Sequence, residues 1–246
     1  MPRRRFAPLP SSIYLTFPKQ DPHKLSRVKG WLASEKHDGV RAFWNPVDKV
    51  LLSRQGLEIK VPQNWIDELS GFPYWLDGEL TMGRQTFERV HGTVQSTRQD
   101  EKRWAGMKYM VFDMHTDRMD NRSFEERYNH LRALPFEAPI YVVLQYRVDD
   151  LKHLDSELMP GQEGWVLRDP RHPHRASKYK IAEMSTGQVI RPHESKRSVL
   201  VREDMTGREF YLTVKAHDDM PVHGAPVSFY FYGRTQNGIP KHAVME

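Results

Sequence analysis

Ser34-Glu35-Lys36-His37-Asp38-Gly39-Val40-Arg41 is the stretch that decides how this chain is read. A lysine stands at the end of the apolar run Trp31-Leu32-Ala33, Asp38-Gly39 supplies a tight turn, and Arg41 opens the next extended segment. A lysine held among other cations in partly desolvated ground has a lowered pKa and can act as a nucleophile. On its own the stretch equally describes a surface lysine before a hairpin turn. Five more clusters follow in order: Leu52-Ser53-Arg54-Gln55-Gly56, Leu76-Asp77-Gly78-Glu79-Leu80, Tyr109-Met110-Val111-Phe112-Asp113, Glu163-Gly164-Trp165-Val166-Leu167-Arg168 and Ser177-Lys178-Tyr179-Lys180-Ile181. Lys178 and Lys180 are two apart, so a strand would carry both on one face. Together the clusters bring cations for phosphates, an aromatic ring for a base, and acids for a ribose and a metal.

Around these clusters the chain reads as a folded protein. It has 246 residues, 38% of them apolar, and no cysteine. Disulfides, thiolate nucleophiles and cysteine-ligated metals are therefore excluded. No run of 18 apolar residues exists, so no membrane span is expected. The net charge is +5, and residues 1–30 concentrate it, with seven bases against one acid. Such a surplus suits a polyanionic partner. Arg3–Arg5 could grip phosphate or be a solvated tail. No apolar leader follows them, so no secretory signal is expected.

Strands are predicted at 31–36, 40–45, 50–54, 74–82, 108–115, 140–148, 164–168 and 177–181. Helices are predicted at 64–69, 86–94, 149–158 and from Ser123 to about 134. Ser123 and Glu126 form a capping-box pattern there. Past Ala182–Gly187 helices vanish and short strands alternate with Gly and Pro turns. The fold class is α+β: a mixed domain over residues 1–181, then a small all-β domain over 182–246. Sixty residues of short strands suit a five-stranded oligonucleotide-binding (OB-fold) barrel.

The series of clusters resembles the covalent nucleotidyltransferases: DNA ligases, RNA ligases and messenger-RNA capping enzymes. Within them it is most similar to minimal ATP-dependent DNA ligases of bacteria and viruses. The likeness runs from about Trp31 to Lys180. It implies a nucleotidyltransferase (ATP-grasp-like ligase) domain of mixed antiparallel sheets and helices. It also implies sealing of nicks in double-stranded DNA through a lysyl-AMP intermediate, with ATP as substrate and Mg²⁺ or Mn²⁺ as metal. Lys36 would carry the AMP. Asp38 would act at the nick or on the metal, and Arg41 and Arg54 would bind the 5′-phosphate or the AMP phosphate. Glu79 would bond the ribose, Phe112 would stack on adenine, and Glu163 would hold the metal. Lys178 and Lys180 would contact the α-phosphate. The resemblance further implies a cytoplasmic monomer, bacterial or virus-encoded. RNA ligase, capping guanylyltransferase and a catalytically weak nick-binding module are the alternatives.

In the second domain Lys215 and Arg234, with Tyr230 and Tyr232, are read as facing a duplex, while Phe229 and Phe231 fill the barrel. Asp77 and Asp113 are read as structural. Ligases usually have an Arg/Asp-rich stretch here, just before a Pro-Gly turn, that orients pyrophosphate. Lys215-Ala216-His217-Asp218-Asp219-Met220-Pro221 stands in its place with no arginine pair. Gly238–His242 is expected to be the C-terminal strand. The loop Arg171-His172-Pro173-His174-Arg175 lacks metal-ligand spacing and is expected to be solvated. No P-loop pattern occurs.

Overall fold

The computed structural model describes residues 6, 28–96, 101–116, 121–159, 161–180, 182–235 and 237–246. The basic stretch Arg3–Arg5 lies outside them. Two compact units meet between Tyr179 and Lys180.

The first unit is built on two sheets. The larger has six strands in the order β4-β3-β2-β5-β6-β7. These are β2 (Val40–Asn45), β3 (Val50–Ser53), β4 (Glu58–Ile59), β5 (Trp75–Thr81), β6 (Lys108–His115) and β7 (Ile140–Val142). The smaller has the order β10-β9-β1-β8, from β1 (Leu32–Glu35), β8 (Tyr146–Arg147), β9 (Trp165–Arg168) and β10 (Ala176–Tyr179). All pairs are antiparallel except β6 with β7. The β2–β3 turn is closed by Asn45, whose Oδ1 accepts from the Val47 and Asp48 amides at 3.0 and 3.2 Å. This is the local bond that makes Asn a turn residue.

One face of the larger sheet is apolar. Ala42, Trp44, Leu76, Leu80, Tyr109 and Val111 lie there in one buried cluster with Trp65, Val90, Trp104 and Leu131. The last four come from α1 (Gln63–Leu69), α2 (Phe87–Gln95), α3 (Glu101–Trp104) and α4 (Phe124–Arg132). The predicted capping box at Ser123 forms, with Ser123 and Glu126 bonding reciprocally. Two glycines let strands approach. A Cβ on Gly78 would lie 2.6 Å from the Tyr109 ring, and one on Gly39 only 2.0 Å from the Leu80 carbonyl oxygen.

The predicted strand 140–148 is divided. β7 pairs with β6 in the larger sheet, and β8 pairs with β1 in the smaller. The Val143 amide still donates to Val111, while Val148 donates to Trp31. An apolar run signals burial, not membership of one sheet, and this segment carries the chain from one sheet to the other. The helix expected at 149–158 is the shorter α5 (Leu151–Ser156).

The second unit is a closed five-stranded barrel, β11-β12-β13-β15-β14. Its strands are β11 (Glu183–Pro192), β12 (Ser198–Glu203), β13 (Glu209–Thr213), β14 (Pro226–Phe231) and β15 (Val244–Met245). Phe229 and Phe231 are buried in its core with Val189, Val199, Val201 and Leu212. Glu183–Gly187 starts the barrel's longest strand, where Gly187 meets the Arg202 carbonyl too closely for a Cβ. One expectation is corrected. The C-terminal strand is Val244–Met245, because Pro240 lacks an amide to donate and forms only an isolated bridge with Arg234. Among the described residues no helix is long and apolar enough to cross a membrane.

Gly39→Ala places a methyl group against backbone, which cannot rotate away. It is expected to lower unfolding stability by about 3 kcal/mol, measured by denaturant titration.

Candidate active site

The apolar face of the larger sheet leaves its other face for chemistry. Arg41 and Glu79 are direct cross-strand partners on β2 and β5, and Asp77 is directly opposite Asp113 of β6. The β5–β6 register slips between Asp77 and Gly78. Asp77 opposes Asp113, but Gly78 opposes Val111, so Phe112 is the extra residue of a β-bulge. A bulge re-aims side chains, and this one brings Phe112 and Asp113 to the same side.

Two buried carboxylates hold the cations of this face. Arg41 binds Asp77 through both ends, at 2.9 and 2.6 Å. Asp113 receives Arg127 at 2.9 and 3.0 Å and Arg168 at 2.8 Å. Burial opposes the Asp113 charge, but His115, Arg127 and Arg168 outweigh it and hold the carboxyl well below its usual range. The Arg41 and Arg168 guanidinium carbons lie 5.7 and 5.0 Å from the centre of the Phe112 ring, within cation–π range.

The smaller sheet supplies the opposite wall. Ser34, Val166 and Lys178 are consecutive cross-strand partners on β1, β9 and β10 and share one face. Lys36 follows β1, and its ammonium pairs with the Glu163 carboxylate. The turn behind it is docked on β5: the Thr81 hydroxyl donates to the Asp38 carbonyl at 3.0 Å. Arg84 binds Glu35 at 2.9 and 3.3 Å.

Between these walls lies a cavity of about 360 Å³, whose lining includes Lys36, Arg41, Arg54, Glu79, Phe112 and Lys178. Those six were predicted site residues. Glu163 joins them through its pair with Lys36. Asp38 lies in the turn two residues after Lys36, outside the lining. Lys180 is past the end of β10 and opens the second unit, so the strand-face argument that paired it with Lys178 does not hold. Arg41, expected to bind phosphate, lines the cavity while its guanidinium is held by Asp77.

Sequence reasoning gave no role to His37, Val143, Val166 and Arg168, which also line the cavity. Arg168 ends an apolar strand, and because it is buried there it needs the acid that Asp113 supplies. Burial lowers the pKa of His37, favouring the neutral ring. Burial also pushes the Glu79 carboxyl up to about 8, against the opposing pull of Lys36 and Arg41.

Among the described residues no three His, Asp or Glu side chains form a metal cage. The carboxylates of Glu163 and Asp38 are hard oxygen donors. One or two such groups, completed by substrate phosphates, are how Mg²⁺ is usually bound, so the donor set fits that ion.

In the barrel, Glu203 is fully buried and accepts from Arg234 at 2.7 and 2.9 Å and from Ser185 at 2.8 Å. The bonds from Arg234 lead in lowering its pKa to about 2. Arg234 is thus a structural cation, not the open duplex contact expected from sequence. Lys215 lies 5.5 Å from the Tyr230 ring centre. The Lys215–Asp218 turn is held by Arg197, which donates to the Lys215 and Asp218 carbonyls.

The architecture, two sheets around a lysine-bearing cleft followed by an OB-fold barrel, is that of the covalent nucleotidyltransferases. The Chlorella virus DNA ligase-adenylate has the same fold: TM-score 0.52, 17% identity, 94% of this chain and 98% of that one. A solved Lig E DNA ligase, described as binding DNA with a minimal scaffold, matches with TM-score 0.79 and 28% identity over 94% of this chain and 97% of that one. A DNA ligase of Haemophilus influenzae is 31% identical over 244 residues, covering 88% of this chain and 85% of the relative. The chain belongs to the DNA ligase family. No protein-family model matches the sequence.

Two outcomes test the electrostatics. The folded pKa of Glu79 lies above its ordinary value of 4.5. The folded chain therefore gains most from this group when it is protonated, below 4.5, and loses that stability as pH rises through about 8. Glu79→Gln should gain stability relative to wild type between about pH 5 and about pH 9, read from denaturant midpoints; a constant difference would contradict the assignment. Arg234→Ala leaves Glu203 buried without its cation, and should cost the barrel about 3 kcal/mol in the same measurement.

Proposed function

We propose that this chain is an ATP-dependent ligase that seals 5′-phosphate/3′-hydroxyl nicks in duplex DNA. Residues 1–181 act as the adenylation domain and 182–246 as the OB-fold domain. The observation that carries the reading is Lys36, paired with Glu163 in a cavity it shares with Arg54, Lys178, Glu79 and Phe112.

The Lys36 ammonium first loses a proton, for which Glu163 is the adjacent acceptor. The neutral amine attacks the α-phosphorus of ATP. A phosphorus–nitrogen bond forms, the bond to the β-phosphate oxygen breaks, and pyrophosphate leaves. The DNA 5′-phosphate then attacks the same phosphorus and releases the lysine, which takes up a proton. Finally the 3′-hydroxyl, losing its proton, attacks the DNA phosphate and expels AMP. Each step moves a phosphoryl centre between oxygen or nitrogen atoms, so positioning and charge neutralisation do most of the work.

Phe112 stacks the base, and Glu79, protonated near neutral pH, can donate to the ribose. Arg54 and the exposed Lys178 neutralise phosphate, with Lys180 following in the chain; Arg41 holds the floor beneath them. Asp38 and Glu163 would hold Mg²⁺ or Mn²⁺, which supplies further neutralisation of phosphate charge. Lys215 and the outer tyrosines face the duplex. The enzyme works as a monomer in the cytoplasm.

Incubation with α-labelled ATP followed by denaturation tests this. Wild type should retain label and seal nicked duplex; Lys36→Ala should lose both while keeping its circular dichroism spectrum. Label in the variant, or none in wild type, refutes the mechanism.

A further inference from the structure

The cavity lining carries two acids among its cations, Glu35 and Glu79. Burial pushes the Glu79 carboxyl up to about 8, so this group is largely uncharged at neutral pH. Glu35 is the charged one, held as an ion pair with Arg84 and 30% exposed. It stands immediately before Lys36 in the chain. A carboxylate left open at that point would repel a polyphosphate and compete with Glu163 for the Lys36 ammonium.

Arg84 closes off that charge from outside the lining. Its Nε donates to one Glu35 oxygen at 2.9 Å and its Nη2 to the other at 3.3 Å. A planar guanidinium can engage both oxygens of a carboxylate at once, as a point-charge ammonium cannot. Arg84 owes its own place to the turn after β5. There the Thr81 hydroxyl accepts from the Gly83 amide at 3.1 Å, and the Thr86 hydroxyl donates to the Gly83 carbonyl at 2.8 Å. The Thr81 hydroxyl also holds the Asp38 carbonyl. Gly161, two residues before Glu163, packs on the same turn: a Cβ there would lie 3.3 Å from the Gln85 side-chain nitrogen and 3.8 Å from the Arg84 Cβ. The turn thus touches Glu35, Asp38 and the loop of Glu163, which flank Lys36 on three sides. Of these contacts, only the one to Glu35 passes through the guanidinium.

We propose that Arg84 is a positioning residue for nucleotide attack: it neutralises Glu35, so that the triphosphate can approach Lys36 and Lys36 stays with Glu163. The inference rests on the nucleotide-site reading above and adds to it a residue that acts only through Glu35. The two side chains are 33% and 30% exposed, and a pair so open to water adds little to stability. What it changes is the charge that the cavity presents to its ligand.

Self-labelling of the full chain with α-labelled ATP tests this. Arg84→Met should raise the apparent KM for ATP about tenfold, lower the limiting labelling rate far less, and leave the denaturant midpoint nearly unchanged. Raising the salt concentration should shrink the KM defect, because the repulsion is between partly exposed charges. The decisive arm is Glu35→Gln placed in the Arg84→Met background. It should return KM to within about threefold of wild type, since the charge that needed neutralising is gone. A clamp that served only to hold the fold would stay broken, because the double variant also lacks the ion pair. Arg84→Lys, which keeps the charge and serves if Arg84→Met does not fold, should also stay within about threefold of the wild-type KM. An unchanged KM in folded Arg84→Met, a double variant no better than Arg84→Met alone, or a full tenfold rise in Arg84→Lys overturns the assignment. Absence of label in wild type would instead refute the nucleotide-site reading itself.

Discussion

Asp77 and Asp113 stand directly opposite each other in the middle of the larger sheet, both without exposure to solvent. Two like charges in that relation repel, and a sheet tolerates them only when each is compensated. Arg41 does so for Asp77, and Arg127 with Arg168 for Asp113. Each arginine comes from a different element: β2, α4 and β9. The compensation therefore clamps the larger sheet to a helix on one side and to the smaller sheet on the other. The cleft exists because its two walls are held by these ion pairs.

The same clamp shapes the ring platform. Phe112 projects from the bulge because β6 must bring Asp113 opposite Asp77 while Val111 stays in the apolar core. Arg41 and Arg168, already fixed by their carboxylates, then flank the ring. Arg168 is itself buried and further stacked on Phe124 at 4.6 Å. A base stacked on Phe112 would meet a surface whose orientation was set before it arrived. Preorganisation of that kind limits what binding must spend on ordering side chains.

Much of this was legible in the chain because local chemistry announces itself. Asp38-Gly39 had to turn, Ser123 with Glu126 had to cap, and alternating apolar residues placed β2, β5 and β6. The ordered clusters identified the cleft's lysine, its acids and its ring. What sequence did not reveal was partnership over distance. Nothing near Arg41 says that Asp77, thirty-six positions on, occupies its guanidinium. Nothing in Ile140–Val148 says that one apolar run serves two sheets. Lys180 looked equivalent to Lys178 by periodicity, yet the strand ends between them. Spacing fixes which face a side chain takes only while the element lasts.

The barrel makes the same point for charge. Three of its described arginines are already engaged. Arg234 neutralises Glu203, Arg202 pairs with Glu209 at 2.8 Å, and Arg197 is spent on two backbone carbonyls. From Glu183 onward, bases and acids are equal in number at eight each. A basic residue on a nucleic-acid-binding fold is therefore weak grounds for a contact until its own partner is known. By that criterion Lys215 is the stronger of the two barrel candidates. Its ammonium lies over Tyr230, an outward aromatic that stabilises the cation while leaving it no carboxylate to neutralise it in that contact.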